Sequence, residues 1–536
     1  MFTFKKGLIF SLMLLLILLF TVGCSESNES SNNQDKNDTE AEENTEDGDT
    51  EKAEAKAPQA GGEVVVGVAG DFINLDPILS TSGDDYPFVW GIYDTLVTYN
   101  SDLEIQPGLA ESWEFPDDTS IVLQLKKGVK FHDGTDFDAE AVKFNIERAN
   151  SEDSVIPDLR HVEEVEIIDT HTVKLHLSVP DASILLALTE RPGLIASPAA
   201  IEKDGEEFQR NPVGTGPFKF VSHVPNGELV YEKNEDYWKE EEPYIDKLIF
   251  KVMQQETTRI NALKSGEVDI IAGISPFSVD SLETAENIKL EMPNSSHRSK
   301  AIVFNASMPP FDNLKFRQAV THAIDRDIIV DTLTNGYGEP LYQIFPNDFW
   351  AADPDLKIEY DPEKAKQLLE ESGVEDPSFT MLISQQDFYE PMFTDIITEQ
   401  LAKIGITVET ETMEGTAAYQ KMWAEKESQA MSSGTAGKPD PHLLMEIWVI
   451  ADSFFNAGEQ TTPEFDELIV AANSTNDQAE RAKLYHEINR KQALDEVVNI
   501  IPVMSVPIIY VLNDKVHGFT ANGLGKSNFN SIWIEE

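Results

Sequence analysis

Between Val129 and Asn145 the chain reads VKFHDGTDFDAEAVKFN, with His132, Asp133, Asp136, Asp138 and Glu140 inside nine positions. Side chains of these types can hold a cation or move a proton, so their spacing decides between chemistry and architecture. An EF-hand calcium loop needs oxygen ligands at positions 1, 3 and 5 ahead of a glycine. Counting from Asp133, Gly134 already stands second and Phe137 fifth. A two-histidine zinc site lacks its partner, because the nearest other histidine is His161. The same residues serve well as architecture. Asp133-Gly134 is turn chemistry. Asp138 suits the N-cap of a helix over AEAVKFNIERA, and Glu140 the positive end of its dipole. Val142, Ile146 and Ala149 then fall on one face of that helix.

Other catalytic signatures are absent. There is no H-E-x-x-H and no G-x-S-x-G. GLGKS at 523–527 has the ending of a phosphate-binding loop, but Thr520 stands where the leading glycine is needed, so it reads as a turn in the tail. Ser, His and Asp are plentiful, yet no local pattern assembles them into a triad. The only cysteine is Cys24, which excludes intramolecular disulfides and multi-cysteine metal sites.

The elements that would position functional residues begin near Gly61. GGEVVVGVAG reads as a strand and PFVWGIYDTLVTYN as a helix. SIVLQLKKGVKF, EEVEIIDTHTVKLHLSVP, GPFKFVSH and GELVYEKN read as strands and hairpins, and ETTRINALKSG as a helix stopped by Gly266. Beyond residue 300 the pattern changes. KAIVFNAS is a strand, and NLKFRQAVTHAID and RDIIVDTLTNG are helices. Asp361-Pro362 opens a helix that ends at Gly373. FTMLIS, PMFTDIITEQLAKIG and ITVETETM follow as a βαβ unit. Helices are expected near 463–473 and 477–495, then the apolar run NIIPVMSVPIIYVL and an irregular tail. A chain of 536 residues with 41% hydrophobic content suits two or more α/β bodies. Its formal charge of −55 repels phosphate backbones, which argues against nucleic-acid binding.

The N-terminus carries a separate message. Lys5 and Lys6 precede an apolar run from Gly7 to Val22, 16 residues long and shorter than the roughly 20 a membrane span needs. Thr21-Val22-Gly23-Cys24 behind it is similar to a bacterial lipobox, which implies cleavage before a lipidated Cys24 and anchoring to the outer face of the cell membrane. Residues 1–23 are then a signal peptide. Residues 25–60 hold twelve acids against three lysines and little to bury, the composition of a disordered tether.

Nine segments in order resemble one family. They are NLDP (74–77), IYDTLV (92–97), PGLAESWEF (107–115), LKKGVKFHDGTDFDAEAVKFNIER (125–148) and NPVGTGPFKF (211–220). YEKNEDYW (231–238), INALKSGEVDI (260–270), VFNASMPPFDNLKFRQAVTHAIDR (303–326) and YDPEKAKQLLEESG (360–373) complete the series. The family is the bacterial extracellular solute-binding proteins, family 5, the peptide- and nickel-type receptors of ABC importers. The resemblance implies a two-lobed, periplasmic-binding-protein-like α/β fold. The first lobe would take 61–303 plus 510–536, with an extra subdomain at about 104–212, and the second lobe 304–509. The crossings would fall in KAIVFNAS and NIIPVMSVPIIYVL. It implies a monomeric binding protein and no enzyme, with no cofactor or resident metal, that delivers a peptide or other small solute to a permease and ATPase on other chains.

The resemblance also directs attention to GTAGKPDPH, 434–442. Asp440-Pro441 matches the peptide-binding pattern, but Gly437 stands where such relatives carry the aspartate that meets a peptide ammonium. The stretch is also similar to the nickel-type pattern, in which His442 would be a ligand group. Its other reading is a helix-start histidine behind the Asp440 cap. Arg191 matches an arginine near the cleft of nickel-type relatives; otherwise it is a surface ion pair. Tyr86 matches a pocket-lining position, where it would stack on a ligand or pack in the core, and Trp90 reads as core. A metal-chelate binder, a peptide sensor and a secreted hydrolase are the alternatives to peptide uptake.

Overall fold

The computed structural model describes residues 57–80, 82–385 and 388–535. The apolar leader, Cys24 and the acidic segment to residue 56 lie outside them. Two mixed sheets organise the described chain. The first has seven strands in the order Ile288–Glu291, Tyr510–Asn513, Ile270–Ala272, Glu63–Val68, Lys247–Val252, Glu228–Lys233 and Phe218–His223. The second has five, in the order Thr407–Met413, Ser378–Ser384, Ala430–Ser433, Ser299–Phe304 and Ile500–Ser505.

Both sheets are covered on both faces, as the period of two along a strand requires. Ala301 and Val303 enter one core of the second sheet, with Trp423, Trp448 and Tyr485. Ile302 and Phe304 enter the other, with Phe311, Phe316 and Phe379. The expected βαβ unit is present: Ser378–Ser384 runs parallel to Thr407–Met413, with the helix Glu390–Ala402 between them in sequence. The helix Pro362–Ser372 begins at an Asp361 cap and ends at left-handed Gly373.

A third, four-stranded antiparallel sheet, with Ala110–Asp117, Ser120–Leu125, Thr172–Leu177 and Val162–Asp169 in that order, interrupts the first body. The helix Ala139–Ala149 contacts its Val162–Asp169 and Thr172–Leu177 strands and shares their apolar core. The opening stretch feeds this helix. Gly134 takes a left-handed turn, Asp133 accepts from the Thr135 N–H, and Asp138 Oδ1 accepts from the Ala141 N–H at 3.1 Å.

Two expectations are corrected. The helix read over 87–100 spans only Tyr86–Val89, and Val97–Tyr99 is a strand. The backbone there is claimed by distant segments: the carbonyls of Gly91, Ile92, Thr95 and Leu96 accept from Phe218, Gly216, Leu109 and Ala110. Those bonds replace the i to i−4 ladder a helix would need. The tail is also less irregular than its sequence suggests, since Val516–His517 pairs with Trp533–Ile534.

The chain passes between the two large sheets twice, through 292–298 and back through 506–509. The first crossing therefore precedes KAIVFNAS, which is a strand of the second sheet and not the link expected there, while the return does fall in NIIPVMSVPIIYVL. The two links are tied together. Val506 N–H donates to the Arg298 carbonyl at 2.8 Å, and Ser296 Oγ donates to the Val506 carbonyl at 2.6 Å.

Candidate ligand site at the seam between the lobes

The segment 434–442 lies where the body of the second sheet meets that of the first. Gly434 approaches the crossing so closely that a Cβ there would stand 2.1 Å from the Ser299 carbonyl oxygen. A Cβ on Gly437 would stand 2.5 Å from His297 Cβ and 2.9 Å from Leu524 Cδ2. Gly437 is thus a close-approach position that a side chain would wedge apart. Lys438 reaches across to Asp158 Oδ2 at 3.0 Å, and Arg160 Nε reaches back to Glu446 Oε1 at 3.1 Å. Asn473 Nδ2 donates to Asp181 Oδ1 at 3.0 Å, and the Ala182 N–H to the Asn473 carbonyl at 2.9 Å. Leu443 is fully buried among the apolar side chains of the four-stranded sheet. The lobes are closed on each other.

Under this seam lies a cluster of buried charge. Glu190 is extended and is followed by a tight turn Arg191–Gly193, where a Cβ on Gly193 would overlap the Leu188 carbonyl. That turn fixes two adjacent, oppositely charged side chains. Glu190 Oε2 accepts from the Tyr86 hydroxyl and from Lys526 Nζ at 2.5 Å. Arg191 Nη2 donates to the Ser82 carbonyl at 2.9 Å and to Asp85 Oδ2 at 3.3 Å. The Lys526 and Arg191 cations both lie by the Tyr86 ring, 4.6 and 4.9 Å from its centroid. Gly83, in the same turn as Ser82, abuts Ala436 of the second lobe.

Burial dominates the ionisation of these groups. It raises the carboxyls of Asp85 and Asp158 and drives the Tyr86 hydroxyl well above its usual range. Burial also opposes the Glu190 carboxylate, but the Lys526 and Lys438 cations outweigh it and hold its pKa below the ordinary value. Lys526 is brought down to about 8 by burial that Glu190 offsets only in part. Lys438 rises, because Asp158 and Glu190 overcome its desolvation. Three atoms of this cluster have no hydrogen-bond partner among the described residues: Glu190 Oε1, Arg191 Nε and Arg191 Nη1.

The residues singled out in the sequence have different fates. Tyr86 and Arg191 meet in the buried cluster, and Arg191 is no surface ion pair: its side chain is 2% exposed. Trp90 packs edge-on against Tyr86. Asp440 is engaged within its own lobe. It caps His442 N–H at 2.8 Å and takes both arms of Arg481 at 2.8 and 2.9 Å. His442 is buried on the helix Pro441–Trp448 and faces His161 across the seam. Sequence reasoning missed Glu190, Lys526, Lys438 and Asp158. Glu190 precedes Arg191, so its signal was a charged pair ahead of a Pro-Gly turn. Lys526 lies in GLGKS, which reads as a turn in the tail, and no local signal marks its burial. Beside Lys526, a cavity of about 380 Å³ opens within the first lobe, with Trp90, Tyr99, Trp238 and Asn522 on its wall.

Two α/β lobes joined by two tied crossings and closed over buried, incompletely partnered charges define a periplasmic-binding-protein-like receptor with an extra subdomain in its first lobe. Residues 104–455 match the family model described as bacterial extracellular solute-binding proteins, family 5 Middle. The chain belongs to this family, whose members are the solute-binding, non-enzymatic components of ABC importers. It is 30% identical over 439 residues to the glutathione-binding protein GsiB of Escherichia coli O1:K1 / APEC, covering 79% of this chain and 85% of the relative. It is 29% identical over 503 residues to di/tripeptide-binding protein 1 of Pseudomonas aeruginosa, covering 87% and 93%. The structure of the ABC transporter-associated periplasmic binding protein DppA from Helicobacter pylori, in complex with the peptide STSA, superposes with a TM-score of 0.80. It is 27% identical, over 89% of this chain and 99% of that one. Among the described residues, no helix is long and apolar enough to cross a membrane.

Proposed function

We propose that this protein captures a short peptide or peptide-like zwitterion between its lobes and presents it, closed, to an ABC permease driven by an ATPase on other chains. One observation carries the reading: Glu190 Oε1 and the Arg191 Nε and Nη1 atoms, on side chains that both contact Tyr86, are buried without partners among the described residues. Buried polar groups of this kind are costly unless something bonds them. A ligand with a cationic and an anionic end supplies both complements, and an arginine fork suits a carboxylate. The relatives named as glutathione-binding and di/tripeptide-binding proteins agree with this chemistry. Contacts completed only in the closed arrangement shift the population toward it.

The lobes divide, in this reading, at the crossings 292–298 and 506–509, so the strand Ser299–Phe304 goes with the second lobe and not with a first lobe ending at 303, and the protein acts as a monomer. Cys24 carries the lipid that anchors it to the outer face of the membrane. Calorimetry with glutathione and a panel of di- and tripeptides tests the ligand class. Free zwitterions are expected to bind, and R191M to weaken them about 100-fold. Equal binding of N-acetylated, C-amidated peptides overturns the reading, as does failure of the whole panel. Metabolic labelling with a palmitate analogue tests the anchor: label in the native chain should vanish in C24S.

A further inference from the structure

We infer that closure of the lobes assembles a site for one first-row divalent cation, zinc or nickel, from His161, His442 and Glu446. His442 and Glu446 are one turn apart on the helix Pro441–Trp448 and share a face. His161 comes from the other side of the seam, immediately before the strand Val162–Asp169. One ligand atom of each lies within 4.8 Å of the others, and His442 Nε2 is 3.5 Å from Glu446 Oε1. Ligand atoms around a tetrahedral zinc stand roughly 3.3–3.6 Å apart, from bonds of about 2.0–2.2 Å. One edge of the site already has that spacing, and the other contacts need to contract by at most about 1.2–1.5 Å.

A second observation points to an occupant. His442 is 4% exposed, and neither of its ring nitrogens has a hydrogen-bond partner among the described residues. Its ring faces that of His161, with centroids 6.2 Å apart. A cation bonded to one of them removes a desolvation cost that packing alone does not.

The surroundings are organised as a metal site needs. His161 Nδ1 is 3.0 Å from Asp181 Oδ2. Asp181 is itself fixed by the Ser183 N–H and hydroxyl at 2.9 and 2.6 Å and by Asn473 at 3.0 Å. A carboxylate on Nδ1 sets the tautomer, leaving Nε2 as the ligand atom, and strengthens it as a donor. Imidazole and carboxylate donors suit zinc and nickel rather than calcium or magnesium. Three protein ligands leave a fourth position for water or for a donor atom of a solute in the cleft. Because the ligands come from both lobes, the ion counts only in the closed state and favours it.

This site is independent of the peptide reading, and its test reads metal rather than peptide. The full chain is titrated with ZnCl2 and then NiCl2 by calorimetry, with excess MgCl2 present to occupy the acidic surface, and followed by small-angle scattering. The expected result is one saturable site per chain and a smaller radius of gyration with zinc. H161A and E446Q should each weaken the site at least 100-fold. D181N should weaken it 10- to 100-fold while circular dichroism shows an unchanged fold. The inference is overturned by the absence of a saturable site above the magnesium background. It is equally overturned by affinity unchanged in H161A and E446Q, or by zinc binding without compaction.

Discussion

The stretch 129–145 and the seam between the lobes use the same vocabulary of histidines, acids and bases to opposite ends. In the first, no buried polar side-chain atom of the described residues lacks a hydrogen-bond partner. Asp133 accepts from Thr135 and Ser197, Asp138 caps a helix, and His132 bridges Gly214 and Gly216. In the second, the charged groups come from the turn at 82–86, residues 158–191, residues 437–446 and Lys526, and several buried atoms stay unbonded. A cluster that satisfies itself is architecture. A cluster that leaves buried valences open awaits something else.

That contrast can be broken at several points. The largest effect is expected at Asp440, which belongs to the seam by sequence but is engaged by Arg481. D440A leaves a buried guanidinium uncompensated and should cost about 3–5 kcal/mol in urea unfolding. A loss of ligand affinity at unchanged stability would instead return Asp440 to the binding site.

His132 provides the next test. Burial lowers its pKa to about 4, from an ordinary 6.5. The folded state therefore holds the neutral ring while the unfolded chain takes up a proton. Stability is complete above pH 6.5 and falls as the pH drops toward 4, by about 3 kcal/mol. H132Q should flatten this slope in unfolding curves measured across that window, and an unchanged slope would place the acid sensitivity elsewhere.

Smaller effects should separate the two regions cleanly. G437A inserts a methyl group between the lobes and should weaken ligand binding at least tenfold, about 1.4 kcal/mol, with little change in unfolding. D138A removes a helix cap and should do the reverse, costing about 1 kcal/mol of stability at unchanged affinity. D136N touches only the exposed pair with Lys130 and should leave both the unfolding midpoint and ligand binding unmoved.

Much of the architecture is legible in the sequence, because caps and periodicity act over a few residues. Asp361-Pro362, Gly373, Gly266 and the Asp138 cap all mark real helix ends. The segment 87–100 misleads for the opposite reason: its carbonyls bond to residues whose arrival no local pattern announces. The site follows the same division. Arg191, Tyr86 and His442 are found through resemblance, but their partners are not. Lys526 lies 336 residues from Glu190, and Asp158 lies 280 from Lys438. Burial created by such pairings is a property of the closed molecule, and no window of the chain contains it.

Leu443 gives the closed state a cost structure of its own. Its side chain leaves the second lobe and sits, fully buried, in the core of the four-stranded sheet. Hiding a leucine contributes about 1.5–3 kcal/mol, and this contribution is the same whichever solute is present. It acts as a common multiplier on every affinity, because the apparent dissociation constant is the intrinsic one divided by the fraction already competent to hold ligand. Trimming Leu443 to alanine should therefore scale all ligands down together and leave their ranking intact. Breadth of uptake and choice of solute are then set by different parts of the molecule.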